Sequence, residues 1–471
     1  MARPYIEEIS FGDPAALFAP FAADPWAVFL DSSLTDDGQG RHAFIGLDPF
    51  LRLTLEQGVL YQDDTALSGS DAWARLGDVL GRYKAEKIPG LPPFQGGAMG
   101  WFGYEMGALS ERLQRPPAAG LETPDMMIGL YDLVIAFDLI GRRCWIISRG
   151  FPEKAAAARQ QRAAARARWL KGRLDQPPVA PASACTPSHT VCFNSNFSRP
   201  SYEHAVQRMI DYILAGDIFE ANLTQRFAAR LPADFDRFAH YRRLRASNSA
   251  PFGAFLNYGR IALASSSPER FLALEDGQAS SRPIKGTRPR GSTPQADRAW
   301  AEDLRASAKD RAENVMIVDL LRNDLSKVCA DHSIRVPELC VLESYASVHH
   351  LVSTVSGTLR PGLGAVDLLR AAFPGGSITG APKVRAMEII SELEGLTRGP
   401  YCGAIGWLGF DGDMDLNIAI RTLSYVDEQV FCQAGGAVTA QSEPAAEYAE
   451  SLDKIRPILD SFTLPARVAA E

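Results

Sequence analysis

The sequence predicts an α+β protein, and three observations carry that expectation. Short runs with two-residue alternation or continuous apolar character fill the first 150 residues. Later segments switch to the 3.6-residue spacing of amphipathic helices, in an irregular order with further strands. Neither a G-x-G-x-x-G fingerprint nor a Walker lysine marks a doubly wound parallel sheet, and no repeat of fixed period is present.

The chain has 471 residues, which on length alone predicts two to three domains, and 46% of them are hydrophobic, enough for a large core. A net charge of −7 gives no reason to expect nucleic acid as a partner. The seven cysteines are scattered, without a C-x-x-C pair, which argues against a disulfide framework or a zinc ribbon. The start, MARPYIEEISFGD, lacks a signal-peptide core, and no apolar run reaches membrane-spanning length. A cytoplasmic protein with no membrane partner is expected.

Four early runs read as strands: Trp26 to Leu30, His42 to Gly46, Leu51 to Leu55 and Leu133 to Phe137. Between them, Pro93 to Tyr104 is too glycine-rich for a helix and suits close backbone packing. Residues 153–174 are Ala/Arg-rich and helical, and without an apolar stripe they read as a solvated connecting helix. Gln176 to Ser188 reads as a linker. A helix capped by Ser201 and stopped by Gly216 follows, then a strand with Glu220, Asn222, Thr224 and Arg226 on one polar face.

The residue that most narrows the chemistry is Lys285, in Arg282-Pro283-Ile284-Lys285-Gly286-Thr287-Arg288-Pro289-Arg290-Gly291. Flanking prolines hold it at a strand end entering a turn, where it is either an ordinary paired lysine or a desolvated amine. Desolvation would lower its pKa and make it a base or nucleophile. Glu269, fixed by Pro268 after the strand Ile261 to Ala264, either pairs with Arg270 or stands as a general acid. On a helix from Ser307 to Lys327, Asp310, Glu313 and Ile317 share a face, with Val315 and Leu320 on the packing side. On the C-terminal helix opened by Ser442 and Pro444, Glu447, Glu450 and Lys454 recur on one face, apart from Tyr448, Leu452, Ile455 and Leu459. That face is an ion-pair ladder or, with Glu313, a Mg²⁺ site. The turns Gly375 to Lys383, with Thr379 and Gly380, and Ala434 to Ala437, with Gly436, offer backbone N–H groups to anions. Arg421, in a strand from Leu416 to Leu423, is a candidate carboxylate clamp. Together these groups suit a small, multiply anionic substrate.

In the runs SSSPERF, PIKGTRPRG, DRAENVMIVDLLRND, SVHHLVSTVSG, GGSITGAPKVRAMEII, YCGAIGW, NIAIRTL and AGGAVTAQSEPAAEYAESLDKI, the chain resembles the chorismate-utilising enzymes. These include anthranilate, aminodeoxychorismate, isochorismate and salicylate synthases, and the likeness spans about Ser201 to Ile458. The resemblance implies two mainly antiparallel β-sheets packed as a sandwich with helices outside. It implies a β-rich N-terminal region over 1–150, a connecting helix and linker over 151–198, and a chorismate-binding catalytic region over 199–463.

The same resemblance implies roles. Where anthranilate synthases have PIAGT, this chain has PIKGT, the form of the branch that aminates chorismate at C4 for 4-aminobenzoate and folate. Lys285 then attacks chorismate at C2, Glu269 protonates the leaving hydroxyl, and His350 lies near the ring. Glu313, Glu450 and neighbouring Glu447 match ligands for Mg²⁺. Tyr401, Arg421, Gly436 and Lys454 match positions holding the substrate's carboxylates. An anthranilate synthase, or a non-catalytic ligand-binding subunit, are the alternatives. No cysteine has the G-x-C-x-G context of a glutaminase nucleophile, so ammonia is expected from solution or a separate glutaminase subunit. Two positions depart from the pattern. Glu220 stands where many relatives have glutamine and the isochorismate-forming branch a lysine base. Asp31, in Phe29-Leu30-Asp31-Ser32, stands where tryptophan-binding relatives have a glutamate, which leaves tryptophan binding in the N-terminal region open.

Overall fold

The computed structural model describes residues 3–35, 39–109, 111, 113–176, 191–345 and 348–463. Among them, strands form two 12-stranded sheets with antiparallel ladders. Each sheet draws strands from both halves of the chain. In the first, Ala27–Asp31 pairs with Phe252–Asn257, and in the second Gly97–Phe102 pairs with Ala404–Gly409. Residues 1–150 therefore complete the same sheets that carry the second half.

The early strands are buried on both faces, and their alternation assigns each face a destination. Val28, Leu30, Phe44, Val134 and Ala136 point into a core between the sheets, against Met99, Trp101, Tyr131, Leu263 and Trp407. Phe29, Ala43, Ile45, Ile135 and Phe137 point outward, under Phe18, Leu170, Phe238, Tyr241 and Ile455 from covering helices. The outer face of the second sheet is covered likewise by Trp73, Leu76, Ile317, Leu321, Leu368 and Leu369. Pro93 to Tyr104 supplies the strand Gly97–Phe102, and close packing is the reason for its glycines. Gly100 has φ +153°, and a Cβ there would lie 2.0 Å from the Met127 carbonyl.

Four local expectations are corrected. The helix Arg199–Leu214 is capped by Ser198, while Ser201 sits at its third position and bonds back, completing a capping box. The helix Ala156–Leu174 is docked on a sheet edge. Ala163, Ala167 and Leu170 form a narrow stripe of mostly one-methyl side chains, which hydrophobicity alone underrates, and Arg166 pairs with fully buried Asp132. On Ala308–Ser326 the packing face is Asn314, Ile317, Val318, Leu321 and Leu325, and Val315 is exposed. The run Leu416 to Leu423 is two strands, Met414–Ile418 in the second sheet and Thr422–Val426 in the first, so the chain crosses between sheets at Arg421. The expected linker lies, from residue 177, outside the described residues. No described helix is long and apolar enough to cross a membrane.

One buried ion pair holds the site-bearing segments together. Arg398 binds Glu394 through Nε and Nη2 at 2.9 and 2.6 Å. Glu394 also accepts the Thr224 amide and hydroxyl, and Arg398 donates to the carbonyls of Ile378 and Asn222. Arg398→Met strands the Glu394 charge and should cost about 3–5 kcal/mol in urea unfolding, whereas the double variant Glu394→Leu/Arg398→Met should recover much of that loss.

Candidate active site

The site is built where an edge of each sheet meets the helices Ala308–Ser326 and Pro444–Asp460. Lys285 lies on Ile284–Pro289 in the second sheet and is 9% exposed, while Glu220 opens Glu220–Arg230 in the first and is 1% exposed. The Lys285 ammonium donates to Glu220 Oε1 at 3.1 Å, so the two sheets are bridged by a dry ion pair. A β-bulge follows Lys285, at Gly286. Gly286 has φ +78°, and a Cβ there would lie 2.8 Å from Leu304 and 2.9 Å from Asp310, which explains glycine in this run.

The expectation that burial lowers the Lys285 pKa is corrected. Burial does push it down, but Glu220, Glu313 and Glu269 outweigh that, and the pKa is raised. The resting lysine is an ammonium. Glu269 shows the opposite balance: burial pushes its carboxyl up to about 7 despite Ser377 and Lys285. Its partner is the Ser377 hydroxyl, donating to Oε1 at 2.9 Å, and Arg270 pairs with Asp415 instead. The site thus holds an acid that keeps its proton near neutrality opposite a protonated amine.

His350 shares a 2.9 Å hydrogen bond with the Thr287 hydroxyl, and burial and Arg421 push it down to about 4, so it is neutral. Its neighbour His349 turns the other way, to Asp297 and Ser344. Arg421 sits at the crossover with φ +48°, and its guanidinium, its pKa lowered by surrounding protein, makes no ion pair among the described residues. Tyr401 is buried on the turn held by Arg398, with its hydroxyl pKa raised by burial.

The run Ala434 to Ala437 lies inside the strand Gln429–Val438, rather than in a turn after one. Gly436 faces the helix Pro444–Asp460. A Cβ there would stand 3.0 Å from Glu447 Oε2, 3.3 Å from Glu450 Oε1 and 3.6 Å from Lys454 Nζ, so the missing side chain makes a polar cradle. Lys454 pairs with Glu450 at 2.7 Å and also donates to the Gly435 carbonyl. Burial raises the Glu447 pKa, while Lys454 outweighs burial at Glu450 and lowers it. Glu313, pushed up to about 7 mainly by burial, has a buried Oε1 with no hydrogen-bond partner. Among the described residues no three carboxylate, imidazole or thiol groups converge closely enough to hold a metal as they stand, and Lys309 sits 3.8 Å from Glu313 and 3.9 Å from Glu447. Thr379 spends its hydroxyl and amide on Gly375 and Gly376, and Gly380 pairs with Ala221.

Residues 31–460 match the chorismate binding enzyme family. The chain belongs to that family. Among similar members is the aminodeoxychorismate synthase component 1 of Salmonella typhimurium, 43% identical over 94% of each chain. That of Klebsiella aerogenes is 41% identical over 94% of this chain and 95% of its own. The anthranilate synthase component 1 of Pseudomonas aeruginosa is 37% identical over 96% of this chain and 94% of its own. Among solved structures, the fold matches anthranilate synthase component I from Streptococcus pneumoniae, with TM-score 0.78 and 32% identity over 90% of this chain and 92% of that one. The fold expected from the resemblance, two antiparallel sheets with helices outside, is the one observed.

Sequence reasoning missed Ser377, Lys309 and the Arg398–Glu394 pair. Ser377 lay within a glycine-rich run read for its backbone, and only the folded chain brings it to Glu269, 108 positions away. The N-terminal run borders a separate cavity of about 90 Å³. There Asp31 is bound by Tyr241 and Arg245, and the Ser32 hydroxyl by two carbonyls, so both are already engaged.

Ser377→Ala removes the hydrogen bond that favours the Glu269 carboxylate, so the Glu269 pKa should rise further above its usual range. Difference infrared spectra should show its protonated-carboxyl band persisting to higher pH than in the unaltered protein.

Proposed function

We propose that the protein is the synthase component that converts chorismate and ammonia to 4-amino-4-deoxychorismate, with ammonia supplied by a separate glutaminase subunit in the cytoplasm. The observation that carries this reading is Lys285, buried in the cleft with Glu269, at the position where the anthranilate-forming branch has alanine. Relatives named aminodeoxychorismate synthase component 1, at 41–43% identity, support it.

The chemistry follows from the groups in place. Arg421, Tyr401 and Lys454 hold the substrate's carboxylates, with neutral His350 beside the ring. Lys285, as free amine, forms a bond from Nζ to C2; both ring double bonds shift by one position and the C4–O bond breaks. Glu269, which carries a proton near pH 7, delivers it to the leaving oxygen, and water departs. Ammonia then bonds to C4, the C2–N bond breaks and returns the lysine amine, and the Glu269 carboxylate takes the proton released at the new nitrogen.

The acidic groups suit Mg²⁺. They are hard oxygen donors, Glu313 Oε1 is buried without a hydrogen-bond partner, and Glu447 and Glu450 meet at the Gly436 cradle. Glu313 and Glu450, with Glu447 beside them, would hold it once Lys309 swings aside. When bound, the ion would neutralise the ring carboxylate and polarise the conjugated system.

With chorismate, Mg²⁺ and ammonium salt, chromatography should show 4-amino-4-deoxychorismate as the main product; anthranilate as the main product contradicts this reading. Glu269→Gln should lower kcat by ~10²–10⁴-fold with little change in chorismate binding. Because the acid form of Glu269 is lost as pH rises through about 7, kcat/KM at constant free ammonia should fall on the alkaline side.

A further inference from the structure

Glu220 is unexplained by the reaction just described, yet it is the group in direct contact with the reacting nitrogen. Lys285 cannot attack while its nitrogen carries three protons, because the lone pair is then occupied. Its environment favours that unreactive form: Glu220 lies at 3.1 Å, Glu269, Glu313 and Glu450 also act on it, and His350 is neutral. Each turnover therefore has to move a proton off an Nζ that is largely buried.

We propose that Glu220 is the catalytic base that takes this proton, and so a second catalytic carboxyl group beside Glu269. This rests on the covalent role assigned to Lys285. The geometry carries it. Oε1 already accepts a hydrogen bond from Nζ, so transfer needs no rearrangement of heavy atoms. Oε2 is buried and has no hydrogen-bond partner, so among the described residues the Lys285 ammonium is the carboxylate's one hydrogen-bond donor. Glu220 itself is fixed, because its strand pairs with Ala381 and with Gln429–Val438. In the step, the Lys285 ammonium and Glu220 carboxylate become an amine and a carboxylic acid, with no net change in charge. The amine bonds to C2, Glu269 supplies the proton that leaves with the C4 oxygen, and Glu220 returns its proton when the lysine is released. Two carboxyl groups thus handle two different protons, one at the nucleophile and one at the leaving group.

The test is adduct formation on Lys285, followed by quenched mass spectrometry with chorismate and Mg²⁺ but no ammonia, between pH 6.5 and 9.5. The unaltered protein should form the adduct at a rate that falls on the alkaline side only as the acid form of Glu269 is lost, because the Lys285 proton stays within the pair. Glu220→Gln keeps the shape and removes the base. It should form adduct at least ~10-fold more slowly at pH 7, with this deficit relative to the unaltered protein narrowing as pH rises and solvent removes the Lys285 proton instead. Glu220→Asp, which keeps a carboxylate, should restore part of the neutral-pH rate. Adduct formed by the Gln variant as fast as by the unaltered protein, with the same pH profile, would overturn the role of Glu220 alone. No adduct in the unaltered protein would overturn the covalent reading of Lys285, and this proposal with it.

Discussion

The site depends on one interaction, the buried ion pair between Lys285 and Glu220. Its two members belong to different sheets, so it forms only if the sandwich closes with the correct register. In water such a pair would contribute little, but in a dry cleft an unpaired lysine or glutamate is costly, which makes mutual placement stringent. Gly286 and its bulge aim the lysine, and the ladder between Glu220–Arg230 and Gln429–Val438 aims the glutamate. The remaining groups are arranged around the pair: Glu269 between two strands, Glu313 on a helix, and the Gly436 cradle on the strand next to Glu220.

Opposite electrostatic outcomes at neighbouring positions make the chemistry workable. Lys285 and Glu269 are both buried, yet neighbouring carboxylates, Glu220 foremost, outweigh burial and keep the lysine protonated, while poor solvation pushes the Glu269 carboxyl up to about 7. In the proposed reaction, one site therefore offers a proton donor for a poor leaving group and a nucleophile with a proton acceptor beside it. The Arg398–Glu394 pair supports this from outside, fixing the carbonyl of Ile378, next to Ser377, and that of Asn222, whose side-chain amide donates to the Ser377 carbonyl.

The fold class was legible because early strands such as Leu133–Asp138 are short, continuous apolar runs with a core on each face, and later segments switch to helical spacing. The site residues were legible as costly groups in rigid contexts: a lysine between prolines, a glutamate after proline, glycines beside a strand. What composition and spacing could not give was the balance at Lys285, set by a partner 65 positions away. The break in Leu416 to Leu423 was hidden for a related reason. Apolar residues continue through Ile420 to Leu423, and only the sheet-to-sheet crossing makes Arg421 a cation without an ion pair among the described residues. Thr379 read as an anion-binding position, but its donors close the turn that carries it.

The central claim is that Lys285 bonds to the substrate ring instead of merely shaping the pocket. A crystal structure of the protein soaked with chorismate and Mg²⁺ in the absence of ammonia tests it most directly. The account predicts continuous density from Lys285 Nζ to ring carbon C2, with the C4 oxygen gone and the Glu220 carboxyl group within hydrogen-bond reach of the new bond. Intact chorismate in the cleft, its C4 hydroxyl present and Nζ still paired only with Glu220, would contradict it.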